Sequence, residues 1–273
     1  MTARNIPVKK MGPALLAVWA AVSASCVIPI YVDEGSRWNR PQEAFRQTAA
    51  FAAGGVLRVD NAFGNIIIRG WDRNEMEVAA EETWDESSGI ASRSLQRSEI
   101  IPRVDIETAN QTVTIKARPR DEAFTGDRIV HLLIRVPHHV VLRSVTARRG
   151  RIVLSDLYGE ARLRLEDGDI RVENYSGGLD AELNRGAIQA ELIDLRNEDA
   201  VRLALNEGPV EIALESDFNG RLEADAAEGT VICDFAVDPV AEKTRVSGTI
   251  GTGEGALIIV SARRGNVSIR KAG

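Results

Sequence analysis

"RIVLSDLYGEARLRLEDGDIRVENYSGG", residues 151–178, nearly repeats itself. Gly150, Gly168 and Gly186 stand 18 residues apart, and two positions after each comes an isoleucine: Ile152, Ile170 and Ile188. Read outward, the phrase persists. Val210, Val231 and Val267 sit two residues after Gly208, Gly229 and Gly265, and Leu154, Val172, Ala190, Ile212, Cys233 and Ile269 sit four after their glycines. Ahead of each next glycine runs a second alternating set, such as Ala161, Leu163 and Leu165, or Leu179, Ala181 and Leu183. Apolar residues at every second position mark a strand with one buried face, so each repeat carries two strands separated by a glycine. The third and fourth spacings lengthen to 22 and 21 residues. The additions fall near "DLRNED" and "ESDFNG", in turns, where insertions cost least.

A unit of about 20 residues cannot bury its own apolar face, so neighbouring units must cover one another. The expected fold is all-β: a single β-solenoid, a β-helix-like stack of two-strand coils of about 18–22 residues. The period alone fits either a parallel stack or an antiparallel meander. Gly64, Gly150, Gly168, Gly186, Gly208, Gly229 and Gly265 are read as the turn glycines, where a missing Cβ permits positive φ and close packing of coils. Six residues ahead of successive glycines lie Arg162, Asp180, Arg202 and Glu223, whose signs alternate. In-register stacking would make them a charge ladder on one outer face.

Residues 56–273 form the expected solenoid domain, less regular over 56–140 and regular over 141–270. Within the first part "DESSGIASRSLQRSEI" breaks the alternation and reads as one short helical insertion, with Ser87 or Ser88 as cap and Ile90 and Leu95 on one face.

The first 25 residues differ in character. Arg4, Lys9 and Lys10 precede the apolar run "MGPALLAVWAAVSAS", which leads into Cys26. Residues 1–25 are therefore read as a signal peptide, Cys26 as the site of lipid attachment, and residues 26–55 as a tether. Cleavage by an ordinary signal peptidase and an uncleaved anchor are the alternatives, because the apolar stretch over 11–32 reaches spanning length. All three place the folded part outside the cytoplasm. Loss of residues 1–25 removes three cations and no acid, moving the formal charge from −6 to −9. Nucleic acid is a poor partner for so acidic a chain. With 5% aromatic residues the core must be built from Val, Ile, Leu and Ala, and two cysteines, one of them at the lipid site, exclude a disulfide framework.

Chemistry is sparse. His138 and His139 are adjacent and point to opposite sides of an extended chain, and His131 in its strand is expected to face solvent. Asp167 and Asp169 flank a turn glycine and read as solvated turn acids rather than a glycosidase pair. "GTGEG" at 251–255 lacks the strand, lysine and helix of a phosphate loop. Trp71 and Trp84 read as packing residues. No catalytic residue, metal ligand or cofactor is assigned.

"VDNAFGNIIIRGWD", "LIRVP", the repeats from "ARRGRIVLSDLYG" onward and "GTGEGALIIVSARRGNVSIR" together resemble a bacterial exported β-repeat family of unknown function labelled "putative adhesin". The resemblance spans residues 56–270 and implies an extracytoplasmic β-solenoid, often tethered to a membrane; it brings no catalytic residue with it. The expected function is that of a non-enzymatic cell-envelope protein, a lipoprotein acting as an adhesin-like binding or structural module. A carbohydrate-active β-helix enzyme and an accessory sensor in envelope-stress signalling are the alternatives. The expected partners are the membrane, through the N-terminal lipid or anchor, and an envelope protein or glycan, but no nucleic acid.

Overall fold

The computed structural model describes residues 45–84, 101–109, 111–119, 128–238 and 243–272. The signal peptide, Cys26, most of the tether and the expected helical insertion at 85–100 lie outside these residues. Among the described residues there is no helix.

The chain runs through β1 (Phe45–Ala50), β2 (Gly55–Phe63), β3 (Ile66–Trp71), β4 (Glu75–Trp84), β5 (Arg103–Ala109), β6 (Thr112–Arg118) and β7 (Arg128–Pro137). The regular coils follow as β8 (Val140–Tyr158), β9 (Ala161–Ser176) and β10 (Leu179–Leu192). Then come β11 (Ala200–Glu207), β12 (Val210–Leu214), β13 (Gly220–Glu228), β14 (Val231–Cys233), β15 (Arg245–Ile250), β16 (Ala256–Arg264) and β17 (Val267–Lys271).

The coils stack in parallel, in register. Gly150 pairs with Gly168 and Gly168 with Gly186, while Ile152, Ile170 and Ile188 pair in the same succession. A β-solenoid is the fold, and a meander does not describe these coils. In β8, β9 and β10 the two expected strands are one long strand bent at its glycine, whose positive φ (139°, 128° and 134°) turns the corner. Gly229 takes its place in this corner column without a positive φ. A further corner is made without glycine: Asp156, Asn174 and Asp194 adopt φ of 57°, 49° and 46°, and Asn174 Nδ2 donates to Asp156 Oδ1 at 2.7 Å. Short polar side chains are the residues that tolerate this left-handed region best after glycine.

The spatial order of coils departs from chain order at both ends. β2 and β3 lie between β6/β7 on one side and β8 on the other. At the far end β16/β17 lies between β11/β12 and β13/β14, so a later coil separates two consecutive ones. Antiparallel strands close the stack: β5 on β6, β4 on β7, β1 on β4 and β15 on β13. β5 places Arg103, Asp105 and Glu107 on one face, a charged edge that discourages pairing with another sheet.

The interior holds what the alternation required. Ile152, Ile170, Ile188, Leu163, Ala181, Leu203 and Ile258 are fully buried. Each large aliphatic side chain so placed stabilises the stack by roughly 1.5–3 kcal/mol. Tyr175 is buried too, its hydroxyl shared between the carbonyls of Gly159 at 2.9 Å and Gly178 at 3.0 Å. Burial pushes that phenol well above its ordinary range and keeps it neutral.

Candidate functional site

The strands leading into the corner glycines present alternate residues to the outside, and stacking turns these into columns about 4.8 Å apart. Two such columns line a groove of about 1020 Å³ that runs along the stack. One contains Asp60, Thr146, Arg164, Glu182, Ala204, Ser261 and Asp225; the other contains Ala62, Arg148, Glu166, Asn184, Asn206, Arg263 and Ala227. Ala204 and Ser261 are register neighbours, and their small side chains leave the depression.

Much of the charge in the groove is already paired. Thr146 Oγ1 donates to Asp60 Oδ1 at 3.1 Å. Arg164 reaches Asp180 Oδ2 and Glu182 Oε2, both at 3.0 Å, and Arg148 lies 3.9 Å from Glu166. Asn206 Nδ2 donates to Asn184 Oδ1 at 3.0 Å, which leaves the Asn206 side-chain carbonyl and the Asn184 amide group to bond a ligand. The surface therefore offers amides, a hydroxyl and neutralised ion pairs, the chemistry of hydrogen bonding to a polar, weakly charged chain.

Arg162, Asp180 and Arg202 occupy successive register positions on β9, β10 and β11. Glu223 does not extend them. Ile259 of β16 stands between Arg202 and Glu223, because the C-terminal coil is inserted there. The contact made by Asp180 is also different from the one expected: its carboxylate takes Arg164, two residues along on the neighbouring strand, instead of Arg162. Alternation of sign is carried by a column the sequence reading passed over, the residues immediately before the corner glycines. Arg149 neighbours Asp167, Asp167 neighbours Arg185, and Arg185 neighbours Glu207. Arg185 Nε and Nη2 donate to the two Asp167 oxygens at 2.6 and 2.9 Å. Those bonds hold the Asp167 carboxyl below its ordinary range, opposite to what a general acid requires. Asp169 is turned to the preceding coil instead, 3.3 Å from Arg151 Nη2.

The histidines are structural. His131, expected in solvent, is wedged between strands: its Nδ1 accepts the Asn65 N–H at 3.1 Å, so the proton sits on Nε2, 3.4 Å from Thr83 Oγ1. Burial pushes its pKa down to about 4. His138 Nδ1 donates to the Asp156 carbonyl at 2.6 Å, and His139 stacks on Tyr158 with centroids 5.0 Å apart. Trp71 Nε1 donates to Glu75 O at 2.9 Å and Arg73 lies over its ring, a strand-end packing role. Cys233 is half-buried against the core opposite Ile269, and desolvation raises its thiol pKa. Among the described residues no cluster of three or more His, Cys, Asp or Glu side chains could hold a metal ion.

Residues 142–270 match the family model described as Toastrack DUF4097. The Toastrack match begins in β8 and ends in β17, and so takes in the coils marked by Gly150 through Gly265, in agreement with the resemblance read from the sequence. Similar solved structures include a "putative cell adhesion protein" from Clostridium sporogenes, 10% identical with a TM-score of 0.49, covering 84% of this chain and 99% of that one. Others are a "putative adhesin" from Bacteroides fragilis (7% identity, TM-score 0.30, 84% and 96% covered) and one from Parabacteroides merdae (9% identity, TM-score 0.29, 84% and 96% covered). No curated protein matches the chain.

Proposed function

We propose that this Toastrack chain is a non-enzymatic, adhesin-like binding module of the bacterial cell envelope, exported by residues 1–25 and anchored through Cys26. The observation that carries the binding role is the groove: a continuous outer surface along the stacked coils, lined by Asn184, Asn206, Ser261 and ion pairs satisfied within the protein. The ligand it suits is an extended, weakly charged polar chain, such as an envelope glycan. Contact runs along the strand face, not through the turns.

Against an enzyme stand the two acids a polysaccharide-cleaving β-helix would recruit. Asp167 and Asp169 are tied to arginines on opposite neighbouring coils, and Asp167 is held ionised. A glycosidase needs one carboxyl shielded enough to stay protonated.

Sedimentation of the purified protein with isolated envelope glycan tests the reading. Ala204→Trp with Ser261→Trp fills the groove at outward positions and should abolish co-sedimentation at unchanged melting temperature. Gln189→Trp, exposed on the other side of the corner, should not. Equal retention of both variants rejects the groove as the contact surface. Cys26→Ser should release the protein from the membrane fraction; unchanged retention rejects the lipid anchor.

A further inference from the structure

Arg149, Asp167, Arg185, Glu207, Glu228 and Arg264 each immediately precede a corner glycine. In chain order their signs run plus, minus, plus, minus, minus, plus. In space they alternate without a break, because Arg264 stands between Glu207 and Glu228. Arg264 Nη2 donates to Glu207 Oε1, a partner 57 residues away in the chain.

The apolar core distinguishes the two coils only beyond the corner, where Val267 and Ile269 of β17 are fully buried and Val231 and Cys233 of β14 half-buried. β13 offers Leu222, Ala224 and Ala226 to the interior, and β16 offers Ile258, Val260 and Ala262 in the same three slots. Both coils bring a glycine to the corner column: a Cβ at Gly265 would stand 1.8 Å from Gly208 O, and one at Gly229 2.0 Å from Gly265 O. Connectivity favours the other arrangement. With β13 against β11, β15 and β16 could form a simple hairpin through residues 251–255 and add to the end of the stack. In the observed order the chain completes β13, β14 and β15 and then returns to enter the stack behind them.

We propose that the pre-glycine charge column keys the C-terminal coil into its slot. Glu207 and Glu228 would repel each other if β11 met β13 directly, and Arg264 places a cation between them, bonded to Glu207 and beside Glu228 in the register. Exposed pairs of this kind are individually weak. They add to the deeper burial of β17, and in the strands before the corner, where both coils fill the same three apolar slots, they are what distinguishes the two orders. The coil of residues 256–271 is thereby a latch that enters last and joins the final coil to the body of the stack.

The latch is tested in the full chain by engineered cysteines that report coil order. Ala204→Cys with Ser261→Cys joins register neighbours of the observed order; Ala204→Cys with Asp225→Cys joins neighbours of the alternative. With native charges the 204–261 disulfide should form readily and the 204–225 one should not. Adding Arg264→Glu should cut the 204–261 yield several-fold and lower the melting temperature by about 3–6 °C. Neutralising both partners, Glu207→Gln with Glu228→Gln, should make Arg264→Glu nearly silent in both readouts. Arg263→Glu, one residue away and facing the groove, serves as the control and should leave the yield unchanged. An equal effect of Arg264→Glu in both backgrounds overturns the proposal, as does a matching loss with Arg263→Glu. Should Arg264→Glu fail to fold, Arg264→Gln carries the same comparison.

Discussion

Gly168 sits directly on Gly150: a Cβ at position 168 would stand 1.7 Å from the Gly150 carbonyl oxygen. The same backbone atoms are in a parallel ladder, so neither can withdraw without opening the coil. Gly168→Ala should therefore destabilise the protein by at least about 3 kcal/mol, combining a backbone clash with strain at positive φ. Gly178→Ala is the contrast, since its nearest neighbours would be 3.7 Å away and its φ is not positive. It should stay within about 1 kcal/mol of the parent. Urea denaturation separates the two, and similar costs would contradict the stacked corner.

Asp180 gives a test of register at the level of single contacts. Its carboxylate meets Arg164, while Arg162 and Arg202 flank it in the ladder. Asp180→Arg should destabilise by about 1–2 kcal/mol, because four cations would then crowd one patch. Adding Arg164→Asp should recover more of the loss than adding Arg162→Asp. Equal recovery by the two in thermal unfolding would show that proximity in the column, and not the observed hydrogen bond, governs the energy.

The Asp167–Arg185 pair makes a statement about acid stability. Since the pair lowers the Asp167 pKa in the folded state, its contribution is present above the ordinary aspartate value and is lost as pH falls through the lowered one. Asp167→Asn should destabilise at pH 7, with its cost shrinking as pH falls below about 4. A cost independent of pH would remove the ion pair from the account.

His131 works over a different window. Its folded pKa of about 4 lies below the ordinary value of 6.5, so the unfolded chain takes up the proton first. Its stabilising contribution is complete above pH 6.5 and declines as pH falls toward 4. His131→Gln should flatten the stability profile between those limits. Persistence of the full slope in the variant would assign it to other groups.

The solenoid was legible because its signal is local. Alternation at Ile152 and Leu154 or Leu163 and Leu165 needs only the neighbouring residues to be read, and each inward position so identified in β8, β9 and β10 is buried. The corner at Asp156, Asn174 and Asp194 was less visible, since a left-handed aspartate looks like any surface aspartate until its neighbours stack on it. His131 misled for a related reason: alternation placed it outside the core, but the Asn65 backbone and Thr83 close over that side of the strand.

The amino-acid sequence by itself determined the unit, a two-strand coil with a glycine at its corner and an aliphatic inner face, because period and turn are properties of contiguous residues. It could not order the units. The coils present similar inward patterns, so alternation alone does not say which coil lies next to which. Only the tertiary structure showed Ile259 between Arg202 and Glu223, and Arg264 between Glu207 and Glu228. Those neighbours are set by groups far apart in the chain, whose pairing exists only once the coils have stacked.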